Sequence, residues 1–236
     1  MRFKRYQYGG TTQSGVVVFI RNCVEWLIRV VDGDKTFYEI EKEAWVTQVE
    51  SQTESIVAEL NEVMKTGVPA WQKLSDDPQV QQGDSWKTFV LFAYGQPVIR
   101  NQQKCPDTVK ALSLIPGMKT AWFSILEPQT SLPPHEGPYN GMLRYHLGLV
   151  IPSEDAEACG IRVGNDTRTW KEGSSLLFDD THNHEAWNKT NEKRVVLFVD
   201  MIRPLPIPFS WFNELVISVA GNSPFIKQII ERAEAN

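Results

Sequence analysis

Apolar positions near the start of the chain recur with helical spacing. In residues 15–31 an apolar run is interrupted by Arg21, Glu25 and Arg29, which stand at i, i+4 and i+8 and so form one charged stripe beside an apolar face. This pattern predicts an amphipathic helix, because a membrane span needs about 20 largely uncharged residues. The stretch also lacks the long apolar region and small-residue cleavage site of a signal peptide.

Two later stretches show the same kind of spacing. Residues 36–65 are mostly polar, and Ile56, Leu60 and Val63 follow a 4,3 spacing that is typical of a surface helix packed on a larger body. After the proline-rich segment 204–208 the pattern is helical again. Its apolar positions are Trp211, Phe212, Leu215, Val216, Val219, Ile226, Ile229 and Ile230.

Between these helices the chain is rich in β-branched and aromatic residues. Five short runs, bounded by Pro, Gly, Asn and Asp, have the composition of strands: residues 86–94, 120–126, 143–151, 175–178 and 194–202. Strands without alternating helices favour a mainly β fold, a sandwich or jelly roll with flanking N- and C-terminal helices.

We expect one domain over residues 1–236, since no internal repeat or long linker divides the chain. Its β core is predicted at residues 84–204 and its helical segments at residues 36–75 and 208–236. Residues 1–35 have no assigned place in the domain.

Composition and charge exclude some classes of protein. With 42% hydrophobic residues the chain can bury a large core, so it is not intrinsically disordered. Lys and Arg number 24 against 29 Asp and Glu, a net charge of −5, which argues against a nucleic-acid partner. Cys23, Cys105 and Cys159 form neither a disulfide framework nor a Cys-x-x-Cys metal knuckle, and this usage is typical of a cytoplasmic protein.

All four histidines of the chain lie in a 50-residue window of the β region. His135 stands among prolines, His184 follows an acidic turn, and Arg194 comes ten residues later. A non-haem iron(II) site needs two imidazoles, usually with one carboxylate, and leaves other positions open. A 2-oxo acid bound there would need a cation for its far carboxylate, and an Arg fork suits this best. His135, His184 and Arg194 are the candidates for these roles.

Two more charged or polar side chains share a face of one predicted strand. Arg144 and His146 alternate within residues 143–151, so both are expected to point into the barrel. Two groups that can carry positive charge are costly on one inward face unless an anion lies between them. This pair therefore favours a carboxylate-binding site.

Seven sequence blocks between residues 120 and 204 resemble the aspartyl/asparaginyl β-hydroxylase family of 2-oxoglutarate-dependent oxygenases, which includes a bacterial lipid A hydroxylase branch. The blocks are Ala121-Trp122-Phe123-Ser124-Ile125-Leu126, His135-Glu136-Gly137-Pro138, residues 143–152, Trp170-Lys171-Glu172-Gly173, Leu177-Phe178-Asp179-Asp180, His184-Glu185-Ala186-Trp187-Asn188 and residues 194–200. They stand in order within a stretch that makes up more than a third of the chain.

The resemblance implies a double-stranded β-helix and a set of residue roles. His135 and His184 would bind Fe(II), while Ser124 and Arg194 would hold the distal carboxylate of 2-oxoglutarate. Arg144 and His146 would lie near the metal-bound end of that cosubstrate. The implied reaction hydroxylates an unactivated C–H bond with O₂ and releases succinate and CO₂.

The third position of the usual His-x-Asp/Glu triad is occupied by Gly137, and the carboxylate stands one residue earlier, at Glu136. On an extended strand Glu136 faces away from His135. In the family that the chain resembles, glycine is expected at this position, and two histidines hold the iron with water in the vacant place. We therefore expect Glu136 near the site or at the surface.

Other candidate ligands remain open. His182 and His184 form a His-x-His pair as in cupins, but position 188 is Asn where a cupin has Glu. Asp179 and Asp180 offer a carboxylate, or else form a strand-end turn in which Asp accepts backbone hydrogen bonds.

The substrate is the least determined feature. Family members act on Asp or Asn side chains in peptides or on the acyl chain of lipid A, and a non-catalytic binding module is a third possibility. Polar positions in the predicted loops favour an Asp or Asn side chain over a lipid: Asn140, Asn165, Asp166 and Arg168. The C-terminal helices over residues 209–230 are rich in Trp and Phe, and they have three possible contacts, namely a bilayer surface, the barrel or a second subunit.

Overall fold

The structure is a computed structural model that describes residues 15–69 and 83–235. The helices are α1 (Gly15–Asp32), α2 (Ala44–Glu50), α3 (Thr53–Thr66), α4 (Ile99–Lys104), α5 (Pro106–Leu112), α6 (Phe209–Gly221) and α7 (Pro224–Ala235). The strands are β1 (Phe37–Tyr38), β2 (Trp86–Ala93), β3 (Gln96–Pro97), β4 (Met118–Leu126), β5 (Thr130–His135), β6 (Met142–Val150), β7 (Cys159–Val163), β8 (Asp166–Arg168), β9 (Ser175–Phe178), β10 (His184–Asn188) and β11 (Arg194–Ile202).

The strands form two antiparallel sheets. The larger sheet has the order β1-β9-β6-β11-β4-β2-β3, and the smaller sheet has the order β5-β10-β7-β8. All pairings between these neighbours are antiparallel. This is a jelly roll with helices at both ends, so the predicted fold class is confirmed.

The larger sheet is buried on both faces, which explains the continuous apolar runs of its central strands. On β11, Val195, Leu197 and Val199 pack under the helical layer that contains α2, α3 and α5. Val196 and Phe198 point the other way, into the barrel. The inward face is therefore the one that carries the polar side chains of the site.

The five predicted strands match β2, β4, β6, β9 and β11, because long β-branched runs are their local signature. The shorter strands of the smaller sheet carry fewer such residues and were not predicted individually. Two short helices, α4 and α5, interrupt the segment predicted as an uninterrupted β core. They lie against the outer layer, where Thr108, Ala111 and Leu112 of α5 are buried.

The segment 36–75 is helical only in part. It begins with β1, because Phe37 and Tyr38 pair with Phe178 and Leu177 of β9. Helices α2 and α3 follow, and Ile56, Leu60 and Val63 are buried as the spacing predicts. Residues 1–14, 70–75 and 236 of the predicted segments lie outside the described residues.

The two terminal helical regions form as predicted, but much of their apolar surface faces outward. Helix α1 buries Ile28, and helix α6 buries Asn213 and Ile217. Helix α7 packs against the sheet through Ile226 and Ile229. Within the described part of the chain, no helix is long and apolar enough to cross a bilayer.

Candidate active site

The two histidines of the predicted metal pair lie side by side on the smaller sheet. His135 is the last residue of β5, His184 is the first residue of β10, and the two are register partners. The centroids of their rings are 4.1 Å apart. Antiparallel pairing thus joins two side chains that are distant in the sequence.

Local hydrogen bonds fix the protonation of both rings. The Nδ1 atom of His135 lies 2.7 Å from the carbonyl oxygen of Pro133, and Nδ1 of His184 lies 3.0 Å from that of His182. Because a carbonyl oxygen only accepts, each Nδ1 carries a proton, and in the neutral form of each ring the lone pair is on Nε2. Burial lowers the pKa of His184 well below its usual range, and His135 and Arg144 lower it further. Neutral imidazoles of this kind are metal ligands.

Gly137 stands two residues after His135, at a position where a side chain would meet Asp180. A Cβ atom there would lie 2.2 Å from a carboxylate oxygen of Asp180. Asp180 in turn is buried, and its Oδ2 lies 2.8 Å from an Nη atom of Arg144. Burial raises the pKa of Asp180 to about 7, although Arg144 opposes this rise. A larger residue at position 137, such as the Asp of a His-x-Asp triad, would therefore require Asp180 to move.

The remaining candidate ligands lie elsewhere. Asp179 accepts hydrogen bonds from the backbone and hydroxyl of Thr181, as in the predicted strand-end turn, and pairs with Arg203. The Nε2 atom of His182 lies 3.5 Å from the carboxylate of Asp34. Glu136 is half-buried. Among the described residues, no three His, Cys, Asp or Glu side chains cluster as a metal site, so the arrangement fits a two-histidine centre.

Arg194 is a buried cation that has no carboxylate partner in the described part of the chain. Its side chain begins β11, is 2% exposed, and lies with its guanidinium carbon 4.6 Å from the ring centre of Trp170. Its Nε and Nη1 atoms have no hydrogen-bond partner, and no ion pair joins it to a described residue. Burial lowers the pKa of Arg194 to about 10, so the group stays charged at neutral pH. A buried charge of this kind needs an anion.

His146 presents a proton to the interior, unlike the two candidate metal ligands. Its Nδ1 accepts a hydrogen bond of 3.2 Å from the indole N–H of Trp170. Since an indole only donates, the proton of His146 must be on Nε2, which is buried without a partner. Burial, then Arg194 and Arg144, lower the pKa of His146 well below its usual range. His146 is thus a neutral donor that can bind an anion.

Ser124 shares the inward face with Arg194. Strand β4 pairs Ser124 with Val196 of β11. Val196 is two residues from Arg194, so both point to the same face of the sheet. Its hydroxyl oxygen accepts a hydrogen bond of 3.0 Å from the indole of Trp86. The hydroxyl proton remains available for a bound carboxylate.

The positive charge of Arg144 is balanced by carboxylates of the protein, whereas the sequence predicted a bound anion beside it. Its guanidinium binds Asp180 at 2.8 Å and Asp200 at 2.9 Å, and stacks over Phe198. Protein carboxylates therefore supply the negative charge that the inward face of β6 requires at this position. Arg144 is close enough to His184 to lower its pKa, so it lies beside the metal pair.

Three residues of the site were not predicted from the sequence. Trp170 and Trp86 each donate a hydrogen bond to a polar side chain of the interior, namely His146 and Ser124. Asp180 was considered as a ligand or as part of a strand-end turn, whereas it fills the space beside Gly137. The signal for Trp170 was present, because it stands in one of the blocks that carry the family resemblance.

Comparisons with known proteins place the chain among hydroxylases. The family model for aspartyl/asparaginyl β-hydroxylase matches residues 50–204. The ornithine lipid ester-linked acyl 2-hydroxylase of Rhizobium tropici is 42% identical over 199 residues, which is 83% of this chain and 70% of that protein. The human aspartyl/asparaginyl β-hydroxylase is 36% identical over 139 residues, 56% of this chain but only 18% of that protein.

Among solved structures, the cupin domain of an XRE family transcriptional regulator from Enterobacter cloacae has a TM-score of 0.35 at 12% identity, covering 51% of this chain and 99% of that one. A likeness at this TM-score does not bear on the function of the chain.

Proposed function

Because the chain belongs to the aspartyl/asparaginyl β-hydroxylase family and is a hydroxylase of unactivated C–H bonds, we propose that it is an Fe(II)- and 2-oxoglutarate-dependent dioxygenase. The observation that carries this proposal is Arg194, a buried guanidinium with no carboxylate partner among the described residues. It lies in the same barrel interior as two histidines whose Nδ1 atoms are bonded to backbone carbonyl oxygens, so that Nε2 is the nitrogen that would bind a metal.

His135 and His184 are the residues that would hold the iron. Bound there with 2-oxoglutarate and O₂, Fe(II) would supply the oxidising power for C–H cleavage, with succinate and CO₂ as co-products. Arg194 and the hydroxyl of Ser124 would bind the distal carboxylate, and the Nε2–H of His146 would donate to an anionic oxygen. The aromatic rings of Phe178, Phe198 and Trp170 would keep the interior dry, which strengthens these hydrogen bonds.

The metal assignment is tested by direct binding. In His135→Ala and His184→Ala, Fe(II) or Mn(II) binding followed by calorimetry should be lost, while the circular dichroism spectrum stays that of the wild type. His182→Ala is the matched control, because its ring faces Asp34, and it should bind metal normally. Full metal occupancy in the His135→Ala variant would contradict the assignment.

For the substrate we propose the ester-linked acyl chain of a membrane lipid, hydroxylated at carbon 2. The support is the reach of the similarity: the match to the rhizobial lipid hydroxylase spans 83% of this chain and extends beyond the residues of the family model. Sequence analysis favoured an Asp or Asn side chain, and this stays the second candidate on the family's description and the human relative.

The two substrate classes share one reacting group. Carbon 2 of an acyl chain is a methylene next to an ester carbonyl, and the β-carbon of Asp or Asn is a methylene next to the side-chain carbonyl. A single arrangement of metal and cosubstrate residues can therefore serve both, so the substrate is selected by residues outside that arrangement.

Turnover measured side by side separates the candidates. We expect succinate release to be stimulated by an ornithine lipid, with one oxygen atom from ¹⁸O₂ on carbon 2 of its ester-linked chain. Asp- and Asn-containing peptides and free amino acids are the comparison arms. Peptide-dependent succinate release with an unmodified lipid would transfer the assignment to the second candidate, and no metal or 2-oxoglutarate binding at all would favour a non-catalytic module.

A reducing compartment is part of the proposal. All three cysteines are unpaired, with Cys105 and Cys159 buried, and this usage is typical of cytoplasmic proteins.

A further inference from the structure

The exposed apolar side chains of the protein are concentrated in two helices. Of the ten large hydrophobic residues that are exposed in the described part of the chain, nine belong to α1, α6 or the segment just before α6. They are Phe19, Trp26, Val30, Val31, Ile207, Trp211, Phe212, Leu215 and Val219. We call this set the α1–α6 surface.

The exposed residues follow helical spacing, so each helix has a second apolar stripe. On α1, Phe19, Trp26 and Val30 lie on one face, and the exposed Cys23 completes a 4,3,4 spacing. On α6, Trp211, Leu215 and Val219 stand at i, i+4 and i+8. The opposite stripes of the same helices pack on the protein, so the outer stripes are not needed for the core.

The inner faces of both helices rest on one buried cluster. Ile28 of α1 and Ile217 of α6 pack with Tyr139 and Met142. Apolar patches of this kind are rare on monomeric proteins and mark interaction sites.

The surface is connected to the candidate active site by the loop that follows His135. In this loop Asn140 donates a hydrogen bond to the backbone carbonyl of Glu25 on α1. The carbonyl of Gly141 accepts one from Asn213 on α6 at 2.7 Å. The helices are therefore attached to the segment that carries a candidate metal ligand.

The charge of the sequence is unevenly distributed between the N-terminal residues and the rest of the chain. Residues 1–31 contain five Lys and Arg against one Glu, whereas the other 205 residues contain 19 against 28 Asp and Glu. Residues 1–31 thus carry a net charge of +4, whereas the rest of the sequence is acidic. A basic segment of this kind is attracted to an anionic surface such as a bilayer that contains anionic lipids.

We propose that the α1–α6 surface docks on an anionic phospholipid bilayer, with both helices lying in the interface and not crossing it. Trp and Phe side chains are favoured at the level of the headgroups, and basic residues add attraction to anionic lipids. The proposal rests on exposure, spacing and charge, and it holds whichever substrate the active site takes.

The test is co-sedimentation of the full chain with vesicles, without iron or cosubstrate. Wild-type protein should sediment with vesicles of phosphatidylcholine and phosphatidylglycerol in a 3:1 ratio, and much less with phosphatidylcholine alone. The double variant Trp211→Asn/Leu215→Asn should bind at least about tenfold more weakly, since it removes two interfacial anchors. Both side chains are more than 60% exposed, so the melting temperature should be unchanged.

Ile99→Asn is the matched control, because Ile99 is the tenth exposed large hydrophobic residue and lies on α4. It should sediment like the wild type. Equal binding of the double variant and the wild type would overturn the proposal, as would a wild type that binds neither vesicle. A wild-type dimer in sedimentation velocity that becomes a monomer in the double variant would overturn it in favour of a subunit interface.

Discussion

Two arginines at the ends of β11 are equally buried, but only one of them has carboxylate partners among the described residues. Arg194 begins the strand, Arg203 follows its last residue, and they are 2% and 1% exposed. Arg203 binds the carboxylates of Asp32 and Asp179, and its Nε donates to the carbonyl oxygen of Asn140 at 2.7 Å. Arg194 has no carboxylate partner among the described residues.

The pKa values express the same contrast. Burial lowers the pKa of Arg194 to about 10. Burial acts on Arg203 too, but Asp179, Tyr38 and Asp32 outweigh it and raise the pKa of Arg203 above its ordinary value. A buried charge whose partners belong to the protein holds elements together, whereas a buried charge without such partners is prepared for a ligand.

The largest effect is expected from Arg203→Met. This change leaves the carboxylates of Asp179 and Asp32 without their cation and removes the ion pair between α1 and the barrel. Breaking a buried ion pair in this way should lower the free energy of unfolding by about 3–5 kcal/mol, measured by urea denaturation. A loss below about 1 kcal/mol would mean that the network around Arg203 contributes little to stability.

The same substitution at the other arginine should leave the fold intact. Without 2-oxoglutarate, Arg194→Met should be as stable as the wild type or more so, because an unpaired buried charge is removed. Its affinity for 2-oxoglutarate should fall by about 100-fold or more, seen as the loss of ligand-induced stabilisation in thermal melts.

Arg194→Lys should recover only part of that affinity, because an ammonium lacks the planar fork. Near-normal 2-oxoglutarate affinity in Arg194→Met would transfer the role to another cation, and Arg144 would be the next residue to test.

A smaller effect is expected at Gly137, which lies beside the ion pair of Arg144 and Asp180. Gly137→Ala places a Cβ atom against the carboxylate of Asp180, and such overpacking costs about 1–3 kcal/mol. In an Asp180→Ala background the same change should cost much less, which a double-mutant cycle on unfolding free energy would show. Equal costs in both backgrounds would assign the strain at residue 137 to another contact.

The smallest effect is expected from Trp170→Phe, which keeps a ring over Arg194 but removes the hydrogen bond to His146. Losing this bond is worth about 0.5–1.5 kcal/mol, so 2-oxoglutarate affinity should fall by about tenfold or less. Trp187→Phe is the control, because Trp187 on β10 loses a comparable hydrogen bond, from its indole N–H to the carbonyl oxygen of Ala156. Equal losses of affinity in the two variants would argue against a positioning role for Trp170.

The sequence by itself determined the fold class and most of the long strands. Residues 175–178 and 194–202 coincide with β9 and β11, because a strand buried on both faces has a continuous β-branched and aromatic run that needs no knowledge of its partners. His135, His184, Ser124 and Arg194 were also identified from motifs, and the structure places them in one barrel interior. Their roles remain predictions until metal and cosubstrate binding are measured.

Only the tertiary structure decided which buried charges are satisfied. Arg194 and Arg203 both flank the same apolar strand, and nothing in the adjoining residues separates them. The difference comes from Asp32 of α1, 171 positions away in the chain, and from Asp179 in the turn after β9. The proton of His146 is likewise assigned by Trp170, a residue of another segment.

The direction of the terminal helices was decided in the same way. The spacing of α1 and α6 reveals that apolar stripes exist, but each helix has two of them, and only the packing of Ile28 and Ile217 shows which stripe is buried. Local patterns follow from the geometry of one element and can be read along the chain. Charge pairing, tautomers and exposure depend on atoms that folding brings together from distant positions, and so they are properties of the tertiary structure alone.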